Sequence, residues 1–415
     1  MTDKKSSVTP AIVAMFLLFF MIAFVTNFAG SMGVIVKNQF LGDSAGAKAL
    51  SQLGSLANFI AYACMGIPGG IILKRKGYKF TALLAVAIGF VGVGIQWIAG
   101  PAESFAVYVA GAFVAGFSMC LLNLVVNPML NTLGGGGNTG NRLIQFGGSC
   151  NSIGGTIAPI LLGYLVGGSV ETASVSDASL AMLIAMIIFV LAAVLIACTR
   201  IPEPHIEKSS VKYESSPMAF RHFVLGAIAI FFYVGIEVGI PNTANVYYSS
   251  LPMVGPALTG WMIGAYWFCM MIGRLTGGTI GGKVSSKAML SATSIAAIIF
   301  LLLVIIIPAD VEFNAFGKCV PLALVFITLC GLCTSVMWGA IFNMATEGLG
   351  KYTAVASGIF MTLVCGGGII PFIQGAIADK FGSINSYWLL IAALLYLLYY
   401  ALIGSKNVNK DIKVD

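Results

Sequence analysis

The chain alternates long apolar runs with short polar interruptions. Twelve runs stand out, over 11–36, 49–73, 79–99, 104–133, 140–168, 178–199, 220–249, 256–281, 287–307, 319–347, 352–378 and 384–404. A helix of about 20 residues crosses a ~30 Å hydrocarbon core, and every run reaches that length. The longest polar stretch, Arg200–Pro217, mixes both charges with prolines and serines and divides six runs from six. The pattern predicts an all-α membrane protein of twelve transmembrane helices in two pseudo-symmetric six-helix bundles. Their expected bounds are 1–200 and 219–415, with a cytoplasmic linker at 201–218.

The halves also repeat. Gly154-Gly155-Thr-Ile-Ala-Pro159-Ile-Leu-Leu-Gly163 in the fifth run matches Gly366-Gly367-Gly-Ile-Ile-Pro371-Phe-Ile-Gln-Gly375 in the eleventh, at a constant offset of 212. In a parallel repeat of membrane bundles, the binding site lies between the halves near the midplane.

One run breaks its own pattern. Phe231–Tyr248 reads FFYVGIEVGIPNTANVYY, and Glu237 is the one acid deep inside an apolar run. A carboxylate there costs roughly 2.5–3.5 kcal/mol on insertion scales, so it faces a cavity or a partner rather than lipid. Pro241 has no N–H and frees the carbonyl of Glu237, four residues back. With Gly235 and Gly239 beside it, this predicts a broken helix around Glu237, with Asn242 and Asn245 on one face. The plainer alternative is a proline kink with Glu237 tied to a neighbouring helix.

Composition agrees with the pattern. Hydrophobic residues are 59% and charged residues 9% of the chain, against about 25% charged in soluble domains. The net charge of +7 is topological and does not call for nucleic acid. With both termini inside, only Lys37, Lys48, Lys318 and Lys380 of the 22 basic residues fall outside, whereas Lys74-Arg75-Lys76 and Lys79 mark an inner loop. The nine cysteines are scattered, mostly within apolar runs, and form no disulfide framework. No metal-ligand spacing, phosphate loop or catalytic constellation appears, so neither an enzyme nor a cofactor is expected.

Gly69-Gly70-Ile-Ile-Leu-Lys74-Arg75-Lys76-Gly77 resembles the loop motif after the second helix of the major facilitator superfamily, without its usual acid. Gln374-Gly375-Ala-Ile-Ala-Asp379-Lys380-Phe381-Gly382 echoes it on the outer side. The likeness sharpens to the fucose–galactose–glucose:proton symporter family. Tyr233-Val-Gly-Ile-Glu237-Val resembles its seventh helix and Asn127-Pro128 the end of its fourth. Ile341-Phe-Asn-Met-Ala-Thr-Glu347-Gly-Leu-Gly350, with Ser357-Gly358 and the Gly366–Pro371 segment, resembles its tenth and eleventh. Fucose-transporting members use an aspartate in the first helix and a glutamate in the fourth. Here the first run has Asn27 and no acid, and Asn123 stands at the glutamate's place.

The resemblance implies import of a monosaccharide, whether hexose, deoxyhexose or amino sugar, by alternating access across a bacterial inner membrane. The carrier is expected as a monomer in the lipid bilayer. The candidate sugar-binding residues are Asn27, Asn123, Asn127, Gln145, Asn151, Glu237, Asn242, Asn245, Tyr266, Trp267, Trp338 and Asn343. Each intramembrane Asn could instead bond a neighbouring helix. Arg274 and Glu347, near predicted inner helix ends, read as inner-gate or headgroup residues. Glu237 is the one candidate for proton coupling. The missing acids favour Na⁺-driven or uncoupled transport over proton symport. Alternatives are a carrier of another small solute (peptide, amphiphile or drug) and a membrane sensor that does not transport.

Overall fold

The computed structural model describes residues 9–42, 44–134, 137–166, 173–201, 216–280, 284–315, 318–349 and 352–408. Most of the expected linker, 202–215, lies outside them. The first half comprises α1 (Thr9–Leu41), α2 (Leu53–Leu73), α3 (Arg75–Ala99), α4 (Phe105–Leu133), α5 (Gly137–Val166) and α6 (Ser179–Cys198). The second comprises α7 (Arg221–Ser249), α8 (Gly255–Ile280), α9 (Ser286–Ile306), α10 (Leu322–Thr346), α11 (Gly358–Phe381, led in by Thr353–Leu363) and α12 (Tyr387–Gly404). Among the described residues eleven helices are long and apolar enough to cross a membrane. The twelfth, α8, has 26 residues, and its glycines, Tyr266 and two tryptophans dilute its apolarity. The architecture is that of a multi-pass, twelve-helix membrane protein.

Three local features differ from the reading of the sequence. First, Pro241 does not break α7, which runs unbroken from Arg221 to Ser249. The carbonyl that the proline orphans, that of Glu237, instead accepts a hydrogen bond from the Tyr266 hydroxyl of α8 at 3.0 Å. Second, interruptions fall in α11, between Thr353–Leu363 and Gly366–Phe381, and in α10, between Leu322–Thr334 and Met337–Thr346. There Thr334 Oγ1 donates to the Cys330 carbonyl and Ser335 Oγ to that of Leu332, a back-bonding that bends helices. Third, the tenth run does not begin as helix at 319. Strand β1 (Glu312–Ala315) pairs antiparallel with β2 (Lys318–Pro321), with Glu312 opposite Pro321, and the helix starts at Leu322.

The halves meet along two principal seams, α5 on α8 and α2 on α11. Here the repeat acquires its physical meaning. A Cβ on Gly154 would collide with the Phe20 carbonyl of α1, and one on Gly366 with the Phe231 carbonyl of α7. Each glycine thus seats its helix on the first helix of its own half. A Cβ on Gly163 would lie 2.6 Å from the Pro256 carbonyl oxygen of α8, and one on Gly375 2.7 Å from Ala49 Cα, just ahead of α2. These glycines seat the same two helices on the opposite half, because only a missing side chain permits backbone contact this close.

The start of α1 and the end of α12 share one end of the bundle, called here the near end. At the far end the halves are shut. Asn245 Nδ2 of α7 donates to the Ser31 carbonyl of α1 at 3.0 Å, and Asn242 Nδ2 donates to Gln52 Oε1 at 3.1 Å and Ser55 Oγ at 3.4 Å. Toward the near end, α4 and α10 form no comparable seam among the described residues, and Pro128 of one and Asn343 of the other are exposed.

Candidate functional site

The centre of the molecule holds one ion pair among the described residues. Arg274 Nη2 of α8 lies 3.2 Å from Glu237 Oε1 of α7. The side chains are only 16% and 13% exposed, so the pair is largely removed from water. The other guanidinium nitrogen, Nη1, crosses the seam to α5. It donates to the Gly148 carbonyl at 3.1 Å, Ser152 Oγ at 3.1 Å and Asn151 Oδ1 at 3.4 Å. Asn151 Nδ2 then donates to the Phe19 carbonyl of α1 at 3.0 Å. A single guanidinium therefore joins Glu237 to α5 of the first half and, through Asn151, to α1. Its flat fork of donors suits several acceptors in one plane.

Aromatic groups frame this network. Tyr266 donates to the Glu237 carbonyl, and its ring stands edge-on to Trp267 at 5.3 Å. Tyr233 donates to the Thr334 carbonyl at the break in α10, and its ring lies 6.2 Å from that of Trp338. The break thus exposes a carbonyl that a tyrosine then occupies, and it turns Trp338 toward the same region. Gly155 makes room for Trp267 and Asn27, since a Cβ there would sit 3.1 Å from each.

The predicted residues separate into groups. Glu237, Asn151, Tyr266, Trp267 and Trp338 belong to the central network. Asn27 is buried beside it, with Nδ2 donating to the Ala23 carbonyl of its own helix. Asn123 and Asn127 are half-buried on α4. Asn123 Nδ2 donates to the Tyr62 hydroxyl at 3.0 Å, and Asn127 Nδ2 to the Asn123 carbonyl at 3.1 Å. Asn242 and Asn245 lie in the far-end seam, away from the ion pair, and bond the opposite half. Asn343 is exposed toward the near end. Gln145 lies in α5, and its side chain falls outside the described residues.

Sequence reasoning missed Arg274 as the partner of Glu237, and missed Tyr62 and Tyr233. Arg274 sits about two turns inside the predicted end of its run. The inventory of deep charges that singled out Glu237 would have found it, had it been applied to the basic residues. The tyrosines carried no signal of their own, because a Tyr in a membrane protein reads first as an interface anchor.

The pattern of the Major Facilitator Superfamily matches residues 14–372. The glucose/galactose transporter of Brucella abortus biovar 1 is 28% identical over 414 residues, covering 98% of this chain and 97% of that one. The L-fucose-proton symporter of Escherichia coli K12 is 23% identical over 429 residues, covering 96% and 94%. The crystal structure of a D-xylose-proton symporter superposes with a TM-score of 0.75 at 13% identity, covering 96% of this chain and 99% of that one.

Proposed function

From the premise that this chain belongs to the Major Facilitator Superfamily, we propose that it carries a monosaccharide across a bacterial inner membrane by alternating access. The near end, with both termini, faces the cytoplasm, a reading that the basic loop after α2 supports. Residues 1–200 and 219–415 move as two bodies about the seams, with 201–218 as their linker. The protein acts as a carrier and not as an enzyme.

The observation that carries this reading is the network of Glu237, Arg274, Asn151 and Ser152, which crosses from one half to the other between two tryptophans. Sugar recognition needs convergent polar groups beside apolar faces in a concave site, and these residues supply both. A carboxylate accepts hydrogen bonds from hydroxyls more strongly than a neutral group does. In the conformation described, the guanidinium fills the place on Glu237 and Asn151 that sugar hydroxyls would take. Binding would then exchange one set of donors for another, on groups belonging to both halves. The substrate class of the Brucella relative, named as a glucose/galactose transporter, supports a hexose.

Coupling rests on the same residues. The first and fourth helices offer no carboxylate, and Glu237 is engaged by Arg274. This favours Na⁺-driven or uncoupled movement over the proton symport for which the fucose relative is named. Counterflow in proteoliposomes, screened over hexoses, deoxyhexoses and amino sugars, tests the function. Exchange of at least one sugar is expected. Absence of both exchange and binding for all of them would refute the sugar reading.

A further inference from the structure

One motif stands outside the central network. Gly375-Ala-Ile-Ala-Asp379-Lys380-Phe381-Gly382 and Gly70-Ile-Ile-Leu-Lys74-Arg75-Lys76-Gly77 share one spacing of glycine, charged pair and glycine. Their last glycines both take positive φ, +89° at Gly382 and +82° at Gly77, in the region that L side chains rarely adopt. The first copy closes α11 at the far end and the second spans the junction of α2 and α3 at the near end. An acid stands in the far copy, whereas the near copy has Lys74 in its place.

Asp379 is fully engaged. Its Oδ1 accepts from the backbone N–H of Lys48 and its Oδ2 from that of Ala49, both at 3.0 Å. These N–H groups open the short helical lead-in to α2, Ala47–Ser51. Lys48 answers in kind, its Nζ donating to the Ala378 carbonyl at the end of α11 at 2.9 Å. A carboxylate is therefore set on free N–H groups and an ammonium on a last-turn carbonyl, that of Ala378, which also accepts from the Gly382 N–H. Each is the favoured charge for that helix end, and each bond is charge-assisted. Gly375, one turn earlier, lets the two backbones approach closely enough for these bonds. The partners belong to opposite halves, so the bonds exist only while the far end is shut.

We propose that Asp379 is a latch: a positioning residue that holds the far end closed. The inference needs alternating access but no particular substrate. It is tested on the full-length protein in lipid nanodiscs, with the native cysteines replaced. Spin labels at Ala102 and Met253 mark exposed far-end turns of opposite halves, and double electron–electron resonance measures their separation. Asp379→Asn should raise the open-to-closed ratio about tenfold or more, since bonds to a charged group are the stronger kind. Asp379→Glu should restore much of the closed population. A purely local capping role would lower thermal stability and leave the distances unmoved. A folded Asp379→Asn protein with the wild-type distance distribution would overturn the proposal. Should Asp379→Asn fail to fold, Lys48→Gln decides. Removing the ammonium from the Ala378 carbonyl should lengthen the far-end distance, and no change there overturns the proposal equally.

Discussion

Arg274 and Glu237 should be worth less together than their separate deletions indicate, because each deletion strands the charge that remains. Arg274→Gln removes the cation from a carboxylate that is only 13% exposed, and it also strips Gly148, Ser152 and Asn151 of their donor. Breaking a buried pair from one side costs about 3–5 kcal/mol, because the remaining charge is left uncompensated. Glu237→Gln leaves the guanidinium its three acceptors on α5 and should cost less, about 1–3 kcal/mol. The double variant buries no net charge. It loses only neutral-scale hydrogen bonds, each about 0.5–1.5 kcal/mol, and its two amides can pair with each other. The double change should therefore cost less than Arg274→Gln alone, with a coupling energy of at least about 2 kcal/mol. Unfolding of the purified variants by SDS in mixed micelles measures the cycle. Single costs that add to the double within about 0.5 kcal/mol would refute the claim that the two groups compensate each other.

Four further outcomes are expected. Glu237→Gln should abolish or severely weaken sugar binding in a folded protein, and calorimetry giving wild-type affinity would make Glu237 structural. Asn123→Ala and Asn151→Ala should each weaken binding by about 1–3 kcal/mol, the cost of leaving buried partners unpaired; lower expression with normal affinity would assign them to helix packing. With Cys319 as the only cysteine, an impermeant maleimide should label whole cells from outside. Glu312 beside it pushes the thiol upward, so less reactive thiolate is present at neutral pH. Labelling should be slow there and keep climbing above pH ~8.5, the ordinary thiol midpoint, and Glu312→Gln should hasten it. Uptake should respond to a sodium gradient, or to none, rather than to a proton gradient alone; accumulation driven by protons without sodium would make Glu237 the proton carrier.

The helices and their number were legible because lipid imposes a length and an apolarity on every span. The repeat was legible for a subtler reason. Gly163 and Gly375 do the same packing in the two halves, so selection for close contact left the same letters at one offset. What escaped depended on partners distant in sequence. Pro241 looked like a helix break because its own helix cannot satisfy the Glu237 carbonyl, yet Tyr266 does so from α8. The break in α10 carries no proline or glycine at Thr334–Val336 and comes from side chains bonding back to their own backbone. Arg274 resembled a headgroup anchor until α5 was placed beside it. The four-residue strands at Glu312–Pro321 are too short for alternation to mark them.

The two glycine seams are one joint made twice. Gly163 on the fifth helix meets the eighth, and Gly375 on the eleventh meets the approach to the second. The eighth is the second helix of its own half. Each half therefore carries both surfaces of the joint, and the pair of contacts has the reciprocity of an isologous interface. A six-helix ancestor bearing this face would have been complementary to a copy of itself. A linker between two such halves would join partners that already fit, and the shared face places no demand on the chemistry of either half.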